Sequence, residues 1–191
     1  MSNQEYEIKL DILEKTLNEQ QKQIKKFQDI HELQELHTKY AYLLLARDWG
    51  KIVNLFTDDA VAILHGRGRY QGKAAIIDIF KNVVQNNRGE GRDGHVAVQP
   101  IIHVDGDKAT AQWLMFIISR DPKGEYENII MHGRHEMEYV RVNGIWKIKY
   151  MLFTSPWPRE AWSKPTLEQL AQWEKEDKHP YENKNNFPDS C

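Results

Sequence analysis

The sequence is poor in cysteine and in the motifs that bind metal ions. Its single cysteine, Cys191, is the last residue. A disulfide within the chain is therefore impossible, and a cysteine-rich zinc site is excluded. No HExxH pattern or other histidine–carboxylate spacing typical of a metal site occurs either. We therefore expect no metal site in this protein.

Long hydrophobic runs and an excess of one charge are also missing. No stretch of about 18 apolar residues occurs, so we expect no membrane span. The 26 Lys and Arg residues nearly balance the 28 Asp and Glu residues. A chain without a broad positive field is a poor match for nucleic acid. Residues 1–20 are charged throughout and lack the apolar segment of a secretory signal, which predicts a cytoplasmic protein.

Aromatic side chains and histidine are plentiful. The chain of 191 residues has six Trp, eight Tyr, six Phe and eight His, and its hydrophobic content of 40% is that of a globular protein. This length suffices for one domain with a core and one or two appendages. The aromatic content suits a concave apolar pocket with a few polar groups, and it suits a large ordinary core almost as well.

Residues 1–29 predict an amphipathic helix of coiled-coil character. Positions spaced alternately by three and four residues form a heptad seam, namely Leu10, Leu13, Leu17, Gln20, Ile24, Phe27 and His31. Such a helix either clasps a neighbouring subunit or lies on its own domain. The first alternative predicts a homodimer or a homotrimer.

Residues 30–155 predict the main domain, which begins with helices. The first helix continues with a broader apolar face. A short apolar helix at residues 52–56, closed by Asp58 and Asp59, precedes a strand near Val61 and a turn at residues 66–69. Helical spacing returns at residues 73–84, followed by a glycine-rich loop at residues 86–94.

The second half of the main domain predicts four strands joined by short turns. They lie at residues 95–104, 109–119, 126–142 and 145–153. Asn143-Gly144 is the strongest hairpin signal in the chain. Helices followed by an antiparallel meander predict an α+β fold with helices on one face of the sheet. Residues 156–191 predict a Pro- and Trp-rich extension with a short helix at residues 166–175.

A series of short motifs carries a family resemblance over about residues 28–153. In order, they are Tyr40, Asp48-Trp49, Leu55-Phe56, Asp58-Asp59-Ala60, Tyr70-Gln71-Gly72-Lys73, His95, Pro100, Val104-Asp105-Gly106-Asp107, Ala109-Thr110-Ala111, Trp113, Gly133-Arg134 and Val142-Asn143-Gly144-Ile145-Trp146-Lys147-Ile148. The series resembles a SnoaL-like domain of the nuclear transport factor two-like cone-fold superfamily. It is nearest in appearance to bacterial bile-acid dehydratase and scytalone dehydratase relatives.

The resemblance implies a strongly curved antiparallel sheet and three helices around a conical pocket, preceded by an extra N-terminal helix. It also implies cofactor-free lyase, isomerase or polyketide-cyclase-like chemistry on a hydrophobic polycyclic or aromatic molecule. Non-catalytic ligand-binding modules share this fold, and they are the alternative function. A third alternative is a scaffold module whose pocket is filled by side chains.

His95 and Tyr40 are the first candidates for catalysis. An imidazole at position 95 matches the family's pocket histidine and can move a proton near neutral pH. The phenol of Tyr40 matches a tyrosine that hydrogen-bonds a substrate oxygen in the dehydratase relatives. Leu45 stands where those relatives place an aspartate that orients the histidine, so a faithful copy of their chemistry is not expected. Asp48 is expected to cap the next helix or to pair with a neighbour.

The alternation along residues 129–142 leaves two arrangements open. If the even positions face the pocket, His132 and Arg134 join His95 as catalytic groups; if the odd positions face it, His135 replaces them. Arg134 in a salt bridge with Glu136 or Glu138 is the alternative to a catalytic arginine.

The substrate-binding residues are expected to be mostly apolar. The set is Trp113, Met115, Ile117, Leu45, Phe56 and His135. Leu114, Phe116 and Ile118 alternate with the first three and are expected to pack beneath the helices, although the reverse assignment fits the alternation nearly as well.

Overall fold

The computed structural model describes residues 3–64, 68–81, 94–119 and 129–154. All of them lie in the first of two compact units of the chain, Met1–Ser155. The loop at residues 86–94 (apart from Gly94), the turn at 121–124 and the extension at 156–191 lie outside the described residues. None of the described helices is both long enough and apolar enough to cross a membrane.

The first third of the described residues forms one long helix. Helix α1 runs over Asn3–Ala46 without a break, because no glycine or proline occurs before Gly50. Its buried side chains fall at steps of three and four residues over its last five turns and are Asp29, Leu33, His37, Tyr40 and Leu44. Helix α2, Trp49–Val53, begins at Asp48, whose carboxylate accepts a hydrogen bond of 3.0 Å from the backbone N–H of Lys51. The expected capping role of Asp48 is confirmed.

The segment after α2 differs from the sequence-based prediction. Phe56 begins a strand, β1 (Phe56–Leu64), which pairs with the short strand β2 (Gly68–Gln71). Asp58 and Asp59 lie within β1, where they form ion pairs with Lys73 and Lys149. The predicted helix at 52–56 therefore extended too far, since α2 ends at Val53 and β1 begins at Phe56. The partners of Asp58 and Asp59 come from remote parts of the chain, so the local sequence gave no sign of this strand. Helix α3 follows at Lys73–Asp78.

The remaining strands lie close to the predicted positions. They are β3 (Gly94–Asp105), β4 (Lys108–Ser119), β5 (Ile129–Val142) and β6 (Ile145–Thr154). The six strands form one sheet in the order β2-β1-β6-β5-β4-β3. Every neighbouring pair is antiparallel except β1 and β6, which are parallel. The predicted α+β class with a long N-terminal helix and a curved sheet is confirmed.

Helix α1 covers one face of the sheet. Trp113, Met115 and Ile117 on β4 are buried on that face, and the ring of Trp113 lies against His37 of α1. Leu114, Phe116 and Ile118 point the other way and remain 37–41% exposed. The expectation that helices cover this second set was wrong, because strand alternation is symmetric and only the docking of α1 distinguishes the two faces.

A glycine allows β6 to approach β5 closely near Gly133. A Cβ atom built on Gly133 would lie 2.4 Å from the carbonyl oxygen of Thr154 and 2.7 Å from the ring of Phe153. The ring of Phe153 can therefore lie over the backbone of β5 and reach the side chain of His135, with ring centres 5.4 Å apart.

The variant Gly133→Ala is expected to destabilise the domain by about 3 kcal/mol, because a backbone atom cannot move aside as a flexible side chain can. Urea unfolding followed by circular dichroism measures the loss. Gly50→Ala is the matched control: the nearest atom to its new Cβ is 3.8 Å away, and alanine favours a helix. Equal stability of the two variants would contradict the steric argument.

Candidate active site on the concave face of the sheet

His37 lies at the centre of the face covered by α1. It occupies one position of the buried stripe of that helix, between Leu33 and Tyr40, and it is 0% exposed. His37 was not among the residues predicted for the site from the sequence. The signal was present, since a histidine at an otherwise apolar position of a helical stripe must find a hydrogen-bond partner inside the protein.

A chain of polar contacts runs through His37 from β4 to β5. The indole N–H of Trp113 donates to the hydroxyl of Tyr139 at 3.2 Å. That hydroxyl lies 3.3 Å from Nδ1 of His37, and Nε2 of His37 lies 3.5 Å from Nδ1 of His135. One helix and two neighbouring strands therefore supply four linked side chains, all of them buried.

In this row of polar contacts the direction of the hydrogen bond is fixed only at Trp113. The indole of Trp113 can only donate. If Tyr139 donates its proton to Nδ1 of His37, then Nε2 of His37 donates to His135. The opposite arrangement, in which His135 donates to His37 and His37 donates to Tyr139, also satisfies both contacts. Each arrangement satisfies both ring nitrogens of His37 while all three groups stay neutral.

Aromatic packing holds the rings in place. The imidazole of His37 is stacked on the indole of Trp113, with ring centres 4.1 Å apart and planes 6° apart. The ring of His135 meets those of Tyr40 and Phe153 edge-on, at 5.9 Å and 5.4 Å. Such contacts restrict ring rotation, so the two histidines keep their mutual geometry.

Burial keeps both histidines neutral. Desolvation lowers the pKa of His37 from 6.5 to about 3. The pKa of His135 lies well below its usual value, first because of burial and then because of the nearby His37 and His95. Each ring is therefore an uncharged donor–acceptor at neutral pH.

Two phenols of the same face are also held in the uncharged form. Burial raises the pKa of Tyr40. It also raises the pKa of Tyr139, an effect that the hydrogen bond from Trp113 partly offsets. A neutral phenol with its proton retained can donate a hydrogen bond to an oxygen that gains negative charge.

His95 shares the face of the buried histidine pair. On β3 it is paired with Ile117 of β4, and directly paired residues of neighbouring strands point to the same side. Its side chain is half-buried, and Nδ1 is enclosed. His95 is also the last of the three causes that lower the pKa of His135.

The two arrangements left open for β5 are now distinguished. The odd positions Gly133, His135, Met137 and Tyr139 face α1, whereas His132 and Arg134 point to the opposite side. Arg134 forms an ion pair with Glu136 at 2.5 Å, as its alternative assignment predicted. The structure therefore does not bring His132 and Arg134 together with His95, because α1 covers the other face of this strand.

The predicted substrate-binding residues fall into two groups. Trp113, Met115, Ile117, Phe56 and His135 are buried on or next to the face covered by α1. Leu45 is 39% exposed near the end of α1, since Leu44 takes the inward position one turn after Tyr40. Leu45 is therefore not part of this cluster. Over the described ranges, no group of three or more His, Cys, Asp or Glu side chains is arranged to hold a metal ion.

Several solved protein structures are similar to this one. A hexachlorocyclohexane dehydrochlorinase, LinA-type3 of Novosphingobium barchaimii, has 19% identity over 74% of this chain and 97% of its own, with a TM-score of 0.63. A protein of Novosphingobium aromaticivorans provisionally named a scytalone dehydratase has 18% identity over 68% and 85%, with a TM-score of 0.61. An NTF2-like protein of the same organism with a cystatin-like fold has 17% identity over 78% and 91%, with a TM-score of 0.61.

These levels of identity establish the fold and leave the activity open. No curated protein matches the chain. The family model of the SnoaL-like domain matches residues 25–151. The match begins in the middle of α1 and ends within β6. The chain therefore belongs to the SnoaL-like domain family.

Proposed function

We propose that this protein is a cofactor-free lyase or isomerase that carries out dehydratase-like acid–base chemistry on a hydrophobic polycyclic or aromatic molecule. His95 is the proton-transferring group and Tyr40 polarises a substrate oxygen. The observation that carries the proposal is the shared face of His95 and the buried, neutral pair of His37 and His135.

The pair takes over the task of the missing aspartate. Elsewhere in the proposed class a carboxylate fixes the tautomer of the catalytic imidazole and stabilises its charged form. Here His135 lies on the same face of the sheet as His95, and His37 connects it to the hydroxyl of Tyr139. A neutral neighbour stabilises an imidazolium less than a carboxylate does, so this site favours substrates with an acidic C–H bond.

A dehydration shows how protons and electrons balance in the proposed reaction. His95 removes a proton from the carbon next to a carbonyl group, and the electron pair of that C–H bond forms a carbon–carbon double bond. The hydroxyl on the following carbon leaves and takes the proton back from His95, so one water is lost and the imidazole is neutral again. Tyr40 donates a hydrogen bond to the carbonyl oxygen while negative charge develops on it.

Incubation with a panel of hydroxylated polycyclic and aromatic ketones tests the proposal. Mass spectrometry detects loss of water, and NMR detects isomerisation or ring closure without a change of mass. We expect conversion of at least one compound by the native protein and none by the heat-denatured protein. Compounds that bind tightly and stay unchanged would contradict catalysis.

A non-catalytic ligand-binding domain is the second candidate. A carboxylate beside His37 or His135 would raise the pKa of that ring. The causes that act on these two rings are burial and, for His135, the neighbouring histidines, and this favours a domain that binds without catalysis. In that case the apolar face binds a ligand and the histidine pair only sets its orientation. We also propose that the protein is cytoplasmic and forms a homodimer or a homotrimer. The ketone panel tests neither the location nor the oligomeric state.

A further inference from the structure

Tyr139 is a buried side chain of β5 that the proposed reaction does not use. It is 1% exposed, and burial raises its pKa, so its hydroxyl keeps the proton. Within the described ranges that hydroxyl has two polar partners, the indole N–H of Trp113 at 3.2 Å and Nδ1 of His37 at 3.3 Å. A phenol has a single proton to donate. The partner that receives this proton decides where the neighbouring imidazoles carry theirs.

Trp113 decides which partner receives the proton. An indole N–H can only donate, so the oxygen of Tyr139 accepts on that side. If Nδ1 of His37 also donated to this oxygen, the hydroxyl proton would have no acceptor among the described residues. A buried donor without an acceptor lowers the population of such an arrangement by about tenfold or more. The hydroxyl therefore donates to Nδ1 of His37.

The same reasoning extends from His37 to His135. Because His37 is neutral and its Nδ1 accepts, its one proton is on Nε2. Nε2 lies 3.5 Å from Nδ1 of His135 and donates to it. His135 is neutral too, so its own proton is also on Nε2. The indole of Trp113 is stacked on the ring of His37, with ring centres 4.1 Å apart, and opposes a half-turn that would exchange the two nitrogens.

We propose that Tyr139 is a positioning residue that holds His37 and His135 in the Nε2–H tautomer. The hydrogen bonds then run in one direction, away from Trp113. Since Nδ1 of His135 is occupied, the nitrogen left for a further partner is Nε2, which is a donor. His135 is therefore suited to donate to an oxygen atom of the substrate, such as a carbonyl oxygen, and not to act as a base. This last step rests on the proposed function.

Long-range proton–nitrogen NMR of the ¹⁵N-labelled native protein at pH 7 tests the tautomers directly. The ring proton Hδ2 couples through two bonds to Nε2, so it reports whether that nitrogen carries a proton. Spectra of the His37→Gln and His135→Gln proteins assign the two signals. We expect a proton on Nε2 of both rings, with less than about one tenth of the other tautomer. A proton on Nδ1 of His37, or comparable shares of both tautomers, would overturn the proposal.

The variant Tyr139→Phe tests the cause, because it removes the hydroxyl and keeps the ring. Nδ1 of His37 then loses its donor, and we expect the minor tautomer of His37 to rise at least about threefold. Tyr40→Phe is the matched control: it is the same change on the same face, and Tyr40 meets His37 and His135 through ring contacts. It is expected to keep the native tautomers. Native tautomers in the Tyr139→Phe protein would show that the hydroxyl does not set them.

A measurement on the native protein decides the role of Tyr139 even where the Tyr139→Phe protein does not fold. The hydroxyl proton of Tyr139 is buried, so we expect it to exchange slowly with water and to show scalar coupling across the hydrogen bond to Nδ1 of His37. A hydroxyl proton that shows no coupling to this nitrogen would overturn the assignment of Tyr139.

The NMR spectra need no turnover, so the tautomers and the proposed catalysis can fail separately. A protein with the expected tautomers that converts no ketone of the panel would keep the role of Tyr139 and contradict the catalysis. Conversion of a ketone by a protein with a proton on Nδ1 of His37 would do the reverse. When a ketone of the panel binds, the Hε2 signal of His135 is expected to move downfield. A ketone that binds without moving this signal would contradict the role of His135 toward the substrate.

Discussion

Replacement of His95 by alanine is expected to lower turnover by about 10²- to 10⁴-fold, which is the usual contribution of a positioned general acid–base group. The reason is geometric: His95 is half-buried on the face of the sheet that α1 covers, whereas His37 and His135 are buried. Steady-state kinetics on a compound from the ketone panel measures the effect. Substrate affinity is expected to change less than turnover, because the imidazole acts on the proton being transferred.

His103→Ala is the matched control for this experiment. It removes the same side chain from the same strand, but His103 is exposed. We expect it to keep native turnover. His132→Ala extends the comparison to the other face of the sheet. Full turnover in the His95→Ala protein, or a larger loss in His132→Ala, would contradict the assignment of the proton-transferring group.

Acid is expected to destabilise the domain through the buried histidine pair. The folded protein keeps His37 neutral until the pH approaches about 3, whereas in the unfolded chain this histidine takes up a proton below about 6.5. Between these values the unfolded state binds more protons, so the free energy of unfolding rises with pH and falls on acidification. From pH 6.5 to pH 5 the loss from His37 alone is about 2 kcal/mol. His135, whose pKa is lowered in the same direction, adds to it.

Urea unfolding at pH 7 and pH 5 measures this effect, and His37→Gln isolates it. Glutamine carries a donor and an acceptor but no titrating proton. The variant is therefore expected to be less stable than the native protein at pH 7 and to have a weaker dependence on pH. His31→Gln on the same helix is the control, since the side chain of His31 is exposed. A His37→Gln protein with the full native pH dependence would show that this histidine is not kept neutral by the fold.

The fold was largely predictable because its signals are local. The turn at Asn143-Gly144, with positive φ at both residues, and the alternating runs on either side place β5 and β6 within a few residues of their observed bounds. The cap of α2 at Asp48 and the uninterrupted α1 follow from residue type alone. The parallel pairing of β1 with β6 has no such signal, since it joins residues that are about ninety positions apart.

The candidate site was only half predictable. His95 and Tyr40 could be proposed from the order of the motifs, but His37 came to light only with α1 docked over β4 and β5. The choice between His132 and His135 was open for the same reason. Alternation divides a strand into two sets of side chains, and it does not say which set will be covered.

The amino-acid order by itself determined the α+β class, the long helix with its heptad seam, the strand positions and the absence of a disulfide. The docking of α1 decided which side of the sheet becomes the interior, and with it the neutral histidine pair and the outward position of Arg134. The physical reason is range: helix propensity, capping and turn formation act over a few residues, whereas burial and the pKa shifts that it causes depend on segments that meet only after folding.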